Sequence, residues 1–260
     1  MRVAVVGGEG YLGHHLCKYF SADSLSRRNG FDITDSGIVN RLGEYEVIMH
    51  MAALVDKSEK KPEEVFRVNS GGTLNIVRNL KPHQTLIFAS TKEVHNPEDA
   101  YSFSKAIAEQ YVEYFAKHNG FKAGIFRLAT TYAPPTNGKT FVNKFVDMVK
   151  GGQQINLAMK GQQVRDFLYV DDLADAFERF IESDLRFGVW DIGGGNKNSF
   201  NFLDFVNLIG QVSGKSPVVS FSDEPVRGQV SYVTDLEKIS RDLTWSPSTS
   251  LRKGLELISL

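Results

Sequence analysis

The chain has 260 residues, 42% of them hydrophobic, enough core for one two-lobed domain or two small ones. A formal net charge of −1 with no basic cluster argues against a nucleic-acid surface. The single cysteine, Cys17, forms neither an intrachain disulfide nor a cysteine-based zinc site, and no apolar run reaches membrane-spanning length. With no secretory leader before the first apolar run, the expectation is a soluble, cytoplasmic, metal-free enzyme-sized protein.

The chain opens with Arg2-Val3-Ala4-Val5-Val6, an apolar run of buried-strand type, then Gly7-Gly8-Glu9-Gly10-Tyr11-Leu12-Gly13 and a helical stretch over 14–20. Strand, glycine turn and helix is the context a dinucleotide-binding turn needs. Glycines at 7 and 10 let the backbone approach a pyrophosphate, and the helix N-terminus offers amides and partial positive charge to it. Gly7, Gly10, Tyr11 and Leu12 are therefore expected beside the cofactor.

The second strand ends in Ser24-Leu25-Ser26-Arg27-Arg28-Asn29, with no acid at its end. An acid there recognises the ribose 2′-hydroxyl of NAD, whereas arginine accommodates the 2′-phosphate of NADP. Arg27 and Arg28 thus favour NADP over NAD. Strands over 47–51, 85–90 and 123–128 alternate with helices over 63–80 and 101–118, which predicts a doubly wound parallel sheet. Right-handed crossovers bring every strand's C-terminal end to one edge, so Gly7, Ala52, Ser90, Thr91 and Thr130 are expected to line one crevice.

Tyr101 and Lys105 stand one helical turn apart on a stretch whose Ala108, Tyr111, Val112 and Phe115 keep amphipathic spacing. A phenol titrates near 10 and is a poor acid–base group at neutral pH unless a cation draws its pKa down. Lys105 is placed to do so. Beyond Tyr132, Pro134-Pro135 and Asn137-Gly138 mark a break. A dinucleotide-binding domain is expected over 1–133, joined again by 164–192, and a smaller substrate-binding lobe over 134–260.

These elements, in this order, resemble the extended short-chain dehydrogenase/reductases, and within them the nucleotide-sugar epimerase/dehydratase family. The resemblance runs nearly the whole length. It is carried by the glycine turn, Asp32-Ile33, His50-Met51-Ala52-Ala53, Asn69-Ser70-Gly71-Gly72-Thr73, Ser90-Thr91, Tyr101 with Lys105, Arg127-Leu128, Tyr132-Ala133-Pro134, the run from Arg165 to Asp172, and Arg227-Gly228. It implies a Rossmann-type sheet, a homodimer, and a nucleotide-diphosphate sugar as substrate. It also implies Tyr101 as acid–base residue, Lys105 on the nicotinamide ribose, and Thr91 on the same sugar oxygen as Tyr101. Asp32 and Ile33 would lie by the adenine, Met51, Ala52, Ala53, Asn69 and Ser90 along the cofactor, Thr130 near the nucleotide phosphates, and Arg165 and Arg227 on the diphosphate.

Two departures stand out. Dehydratases of the family follow the threonine with Asp-Glu, whereas Thr91 is followed by Lys92-Glu93, which disfavours dehydration. Only ten positions separate Thr91 from Tyr101, fewer than in most relatives. The expected activity is hydride transfer by an NAD(P)-dependent epimerase or 4-ketoreductase. A dehydratase or a non-catalytic nucleotide sensor is the alternative.

Overall fold

Val3, Ala4, Val5 and Val6 are apolar at every position rather than at alternate ones, which suits a strand covered on both faces. All four are buried, and they form β1 (Val3–Val6) of a computed structural model that describes residues 1–136, 140–223 and 231–259. In chain order there follow α1 (Tyr11–Tyr19), β2 (Asp23–Leu25), β3 (Val47–His50), α2 (Pro62–Phe66), α3 (Gly72–Val77), β4 (Thr85–Thr91), α4 (Ala100–Asn119) and β5 (Lys122–Leu128). The remainder comprises β6 (Thr130–Tyr132), α5 (Phe141–Lys150), β7 (Gln154–Ala158), β8 (Val164–Tyr169), α6 (Val170–Glu182), β9 (Phe187–Ile192), β10 (Ser199–Asn201), α7 (Phe202–Ser213), β11 (Val218–Ser222), α8 (Glu237–Leu243) and α9 (Leu251–Ser259). Met1–Leu128 with Ala174–Asp191 make one compact unit, and Ala129–Leu173 with Ile192–Leu260 the other.

The first unit is built on a six-stranded sheet of order β2-β1-β3-β4-β5-β9, in which β1 to β5 pair in parallel. The chain winds outward from β1 to β2 on one side and from β3 to β9 on the other. Ligands bind at such a reversal, at the carboxyl ends of the strands, here those of β1 and β3. Ala4, Val6, Ile48, Phe88 and Ile125 from the strands join Ala108, Val112 and Ala116 from α4 in one buried cluster.

Two local features differ from the sequence expectation. Helix α1 begins at Tyr11 rather than 14, because Gly10 serves as its extended N-cap and its carbonyl accepts from the His14 N–H at 2.9 Å. The single helix expected over 63–80 is interrupted at Arg67–Gly71 by a π turn. Such a turn inserts one residue into the helical register and often marks a functional site. Here it swings Asn69 toward β3's exit, where its side chain accepts from the Leu54 N–H at 2.7 Å and donates to the Leu54 carbonyl at 3.1 Å and to Ser104 Oγ at 2.9 Å.

The second unit holds a three-stranded sheet of order β10-β8-β6 and a parallel pair, β11 with β7. Phe141, Phe145, Phe202 and Phe205 stack against one another, and Phe205 against Phe167 of β8. Asp172 accepts from the backbone N–H groups of Ser248 and Thr249 at 3.0 Å each, tying the C-terminal segment down. Residues 164–173, expected with the first unit, lie in this second one, because β8 pairs with β6 and β10. The segment 129–133 belongs here for the same reason. None of the described helices is long and apolar enough to cross a membrane.

Candidate active site

At the carboxyl ends of β1 and β3 lies a cavity of about 190 Å³. Gly7 and Gly10 line it from the turn, Arg27 from beyond β2, Asp32 and Ile33 from the next loop, and Met51, Ala52 and Ala53 from beyond β3. Gly7 has φ +89°, and a Cβ there would sit 2.6 Å from the Ala52 amide nitrogen. A side chain at Gly13 would collide with the Gly7 carbonyl, so α1 can lie this close to the turn only with glycine at that position. This is a cradle that any Cβ would fill, and no side chain caps the N-terminus of α1. An anionic dinucleotide fits these residues.

The wall beyond β2 holds Ser26, which caps the short turn after it together with Asn29, and Arg27, which is exposed at the mouth. Arg28, next in sequence, is exposed and is not among the lining residues. Sequence reasoning missed Arg67 of the π turn, which lines the same cavity and donates to Thr34 Oγ1 at 3.1 Å. The Thr34 N–H and hydroxyl both donate to Asp32 at 2.9 Å, and with Arg27 and Arg67 they hold its carboxyl below the usual range. Asn69 and Ser90, both expected at the cofactor, are engaged inside the protein. Both amide hydrogens of Asn69 are used as described above, and Ser90 Oγ donates to Glu109 Oε1 at 2.5 Å.

Helix α4 carries the expected phenol and ammonium. Its register is set by Asp99, whose side chain accepts from the Ser102 N–H at 2.7 Å while Ser102 Oγ accepts from the Asp99 N–H at 3.2 Å. This reciprocal cap puts Tyr101 in the first turn and Lys105 in the second. Thr91, at the end of β4, stands beside the Tyr101 phenol and favours its ionised form, while its hydroxyl accepts from the Glu93 N–H at 3.3 Å. Lys57, from the loop after β3, pairs with Glu93 and lies 5.7 Å from the centre of the Tyr101 ring.

The electrostatics correct one expectation. Lys105 does not draw the Tyr101 phenol down. Burial pushes its pKa up, as do the charges of Glu93 and Asp99, and only Thr91 opposes them. Lys105 is itself the displaced group: burial draws its pKa down to about 7 against the pull of Glu109. Its ammonium sits 3.9 Å from the centre of the Phe88 ring and makes no hydrogen bond to any described residue. One turn further along α4, Glu109 is gripped by Arg127, with Nε at 3.0 and 3.1 Å and Nη2 at 2.6 Å from its carboxylate oxygens. Tyr101, Lys105 and Glu109 thus form one stripe at i, i+4 and i+8, a spacing visible in the sequence.

In the second unit, Thr130 Oγ1 lies 2.8 Å from the Tyr232 hydroxyl. The Arg165 guanidinium lies over the Tyr232 and Phe202 rings, at 4.9 and 5.7 Å from their centres, and donates to the Val164 carbonyl at 2.9 Å. Arg227 lies outside the described residues. No group of three His, Cys, Asp or Glu among the described residues is placed to hold a metal ion.

Residues 3–193 match the NAD dependent epimerase/dehydratase family. The chain belongs to this family. Among its relatives is UDP-glucuronic acid decarboxylase 1 of Xenopus tropicalis, 24% identical over an alignment covering 98% of this chain and 70% of that protein. The crystal structure of a UDP-glucose 4-epimerase with UDP-glucose from Thermotoga maritima superposes with a TM-score of 0.85 at 25% identity, covering 100% of this chain and 97% of that one. RMD from Pseudomonas aeruginosa, complexed with NADPH, shares the fold at a TM-score of 0.86 and 19% identity, covering 99% of this chain and 97% of that one. The present epimerase/dehydratase-family member is accordingly an NAD(P)-dependent enzyme.

Proposed function

We propose that this enzyme moves hydride at a carbon of a nucleotide-diphosphate sugar, as an epimerase or 4-ketoreductase, with Tyr101 as the acid–base residue. The observation that carries this reading is the convergence, within one compact unit, of Thr91 beside the Tyr101 phenol and the buried Lys105 ammonium, which has no hydrogen-bonding partner among the described residues. When bound, the dinucleotide supplies and accepts the hydride; the protein holds the sugar oxygen and moves its proton. Thr91 and Tyr101 converge on that oxygen, and Tyr101 rests as the phenol, the form that protonates a carbonyl oxygen as hydride reaches the carbon. In the reverse direction the phenolate takes the hydroxyl proton. Lys105 holds the ribose beside them. A nucleotide sensor would need none of these groups, and Lys92 supplies no carboxylic acid for dehydration.

NADP is the preferred cofactor in this reading, supported by Arg27 in the cavity wall and by the lack of an acid at the end of β2. Arg27→Ala should weaken NADP binding roughly tenfold or more, the worth of a charge-assisted bond, and leave NAD binding unchanged. Arg28→Ala should change neither. Titration calorimetry with both cofactors checks this, and equal losses for NAD and NADP would return Arg27 to the solvated surface.

Arg165 and Arg227 are assigned to the diphosphate, since a guanidinium donates bidentately to phosphate oxygens. Arg165→Ala should raise KM for a UDP- or dTDP-hexose roughly ten- to a hundredfold, and free UDP or dTDP should compete with substrate. Hydride transfer followed at the nicotinamide absorbance tests the whole reading. Preference for the free sugar, indifferent to Arg165→Ala, overturns it. The exposed stripe of Phe103, Ile107 and Tyr114 along α4 supports a homodimer, and the single cysteine is in keeping with a cytoplasmic location.

A further inference from the structure

We propose that His50 is a positioning residue for Lys105, its Nδ1 accepting a hydrogen bond from the ammonium across one buried water. His50, at the end of β3, is wholly buried, and its Nε2 lies 2.9 Å from Thr73 Oγ1. A hydroxyl has one hydrogen, and that of Thr73 is donated to the Asn69 carbonyl at 2.5 Å, within the helical passage that the π turn distorts. Thr73 can only accept from His50. The proton therefore sits on Nε2, and a neutral ring carries a bare lone pair on Nδ1. The ring is neutral because burial and the nearby Lys105 charge both hold its pKa well below the usual value.

Nδ1 is buried with no partner, a state that costs about 1–3 kcal/mol if left so. A complementary defect borders the same Phe88 ring. Lys105 has three N–H donors and no acceptor among the described residues. Both groups border the same ring: Phe88 stands opposite His50 in the β3–β4 register, with ring centres 5.4 Å apart, and the Lys105 ammonium is 3.9 Å from the Phe88 centre. The other charged group facing this ammonium is Glu109, which Arg127 and Ser90 already hold, while Tyr101 lies one turn back with its phenol beside Thr91. An acceptor without a donor and a donor without an acceptor thus share one buried neighbourhood. Their link would fix the lysine stem so that its remaining hydrogens face the cofactor.

The inference rests on Lys105 holding the dinucleotide, and two substitutions separate it from a merely structural role. His50→Gln keeps a donor where Nε2 bonds Thr73 and removes the acceptor at Nδ1. His50→Asn keeps an acceptor near Nδ1 and removes the Thr73 bond. NADP affinity, measured by calorimetry, should fall roughly five- to tenfold in His50→Gln and be largely rescued in His50→Asn. The opposite order, or equal losses, overturns the proposal. Nitrogen NMR of protein labelled at its six histidines tests the bond itself, independent of catalysis. The His50 Nδ1 resonance should move on Lys105→Met; an unmoved resonance overturns the proposal whatever the affinities. If Lys105→Met leaves NADP affinity intact while that resonance moves, the hydrogen bond stands and the assignment of Lys105 to the cofactor falls.

Discussion

Tyr101→Phe should lower turnover by about 10²–10⁴, the usual worth of a positioned acid–base group, and leave cofactor and nucleotide-sugar affinity nearly unchanged. The substitution removes one oxygen and keeps the ring that lies beside Lys57. Thr91 can still hydrogen-bond the sugar oxygen, but it has no means of exchanging a proton with it at neutral pH. The direction of the Tyr101 shift adds a second observable. Burial and the charges of Glu93 and Asp99 raise its pKa, so the phenol persists through neutral pH. Carbonyl reduction, which needs the phenol, should therefore be insensitive to pH from 6 to 8. Alcohol oxidation needs the phenolate and should speed up as pH rises. Single-turnover absorbance in each direction measures both, and a Tyr101→Phe enzyme at the wild-type rate would remove Tyr101 from the mechanism.

Lys105→Met should have two large and opposite effects. Cofactor affinity should fall roughly ten- to a hundredfold, because a charge-assisted hydrogen bond is lost. The ligand-free protein should become more stable. Lys105 is 2% exposed and without a hydrogen-bonding partner among the described residues, and burial has drawn its pKa from 10.5 to about 7. Between those values the unfolded chain binds a proton that the folded chain releases, so this group's contribution to stability rises as pH increases from about 7 toward 10.5 and is least favourable below 7. A methionine of similar length removes that cost, on the order of 2–4 kcal/mol at pH 7, and fits the apolar face of Phe88. Thermal unfolding should show a Tm higher by roughly 5 °C or more at pH 7, with the gap closing as pH rises. A lower Tm would mean that the ammonium gains more from its buried surroundings than burial takes from it. The same titration predicts that wild-type cofactor affinity weakens as pH rises above about 7, and that Lys105→Met abolishes this dependence.

The amino-acid sequence by itself determined what depends on neighbours within a turn or a single strand. An unbroken apolar run gave β1, three glycines gave the turn whose positive φ at Gly7 no other residue adopts readily, and the spacing of Tyr101 and Lys105 put both on one face of α4. That Arg27 lines the cavity was legible for the same reason, since it stands two positions past a strand end. What required the tertiary structure was every property set by groups distant in the chain. The phenol's pKa moves up, not down, because burial and the charge of Glu93 raise it, while the lysine that spacing alone made its obvious partner exerts no pull on it. Residues 164–173 joined the second unit because β8 found its hydrogen-bonding partners in β6 and β10, a choice made across the fold. The π turn cannot be read from an apolar periodicity that one extra residue only slightly perturbs, yet it sets where Asn69 and Arg67 stand. The tautomer of His50 depends on a hydroxyl 23 positions away, whose own proton is committed to a carbonyl in the turn before it. Spacing places side chains on a face; burial and long-range partners decide which of them carry charge.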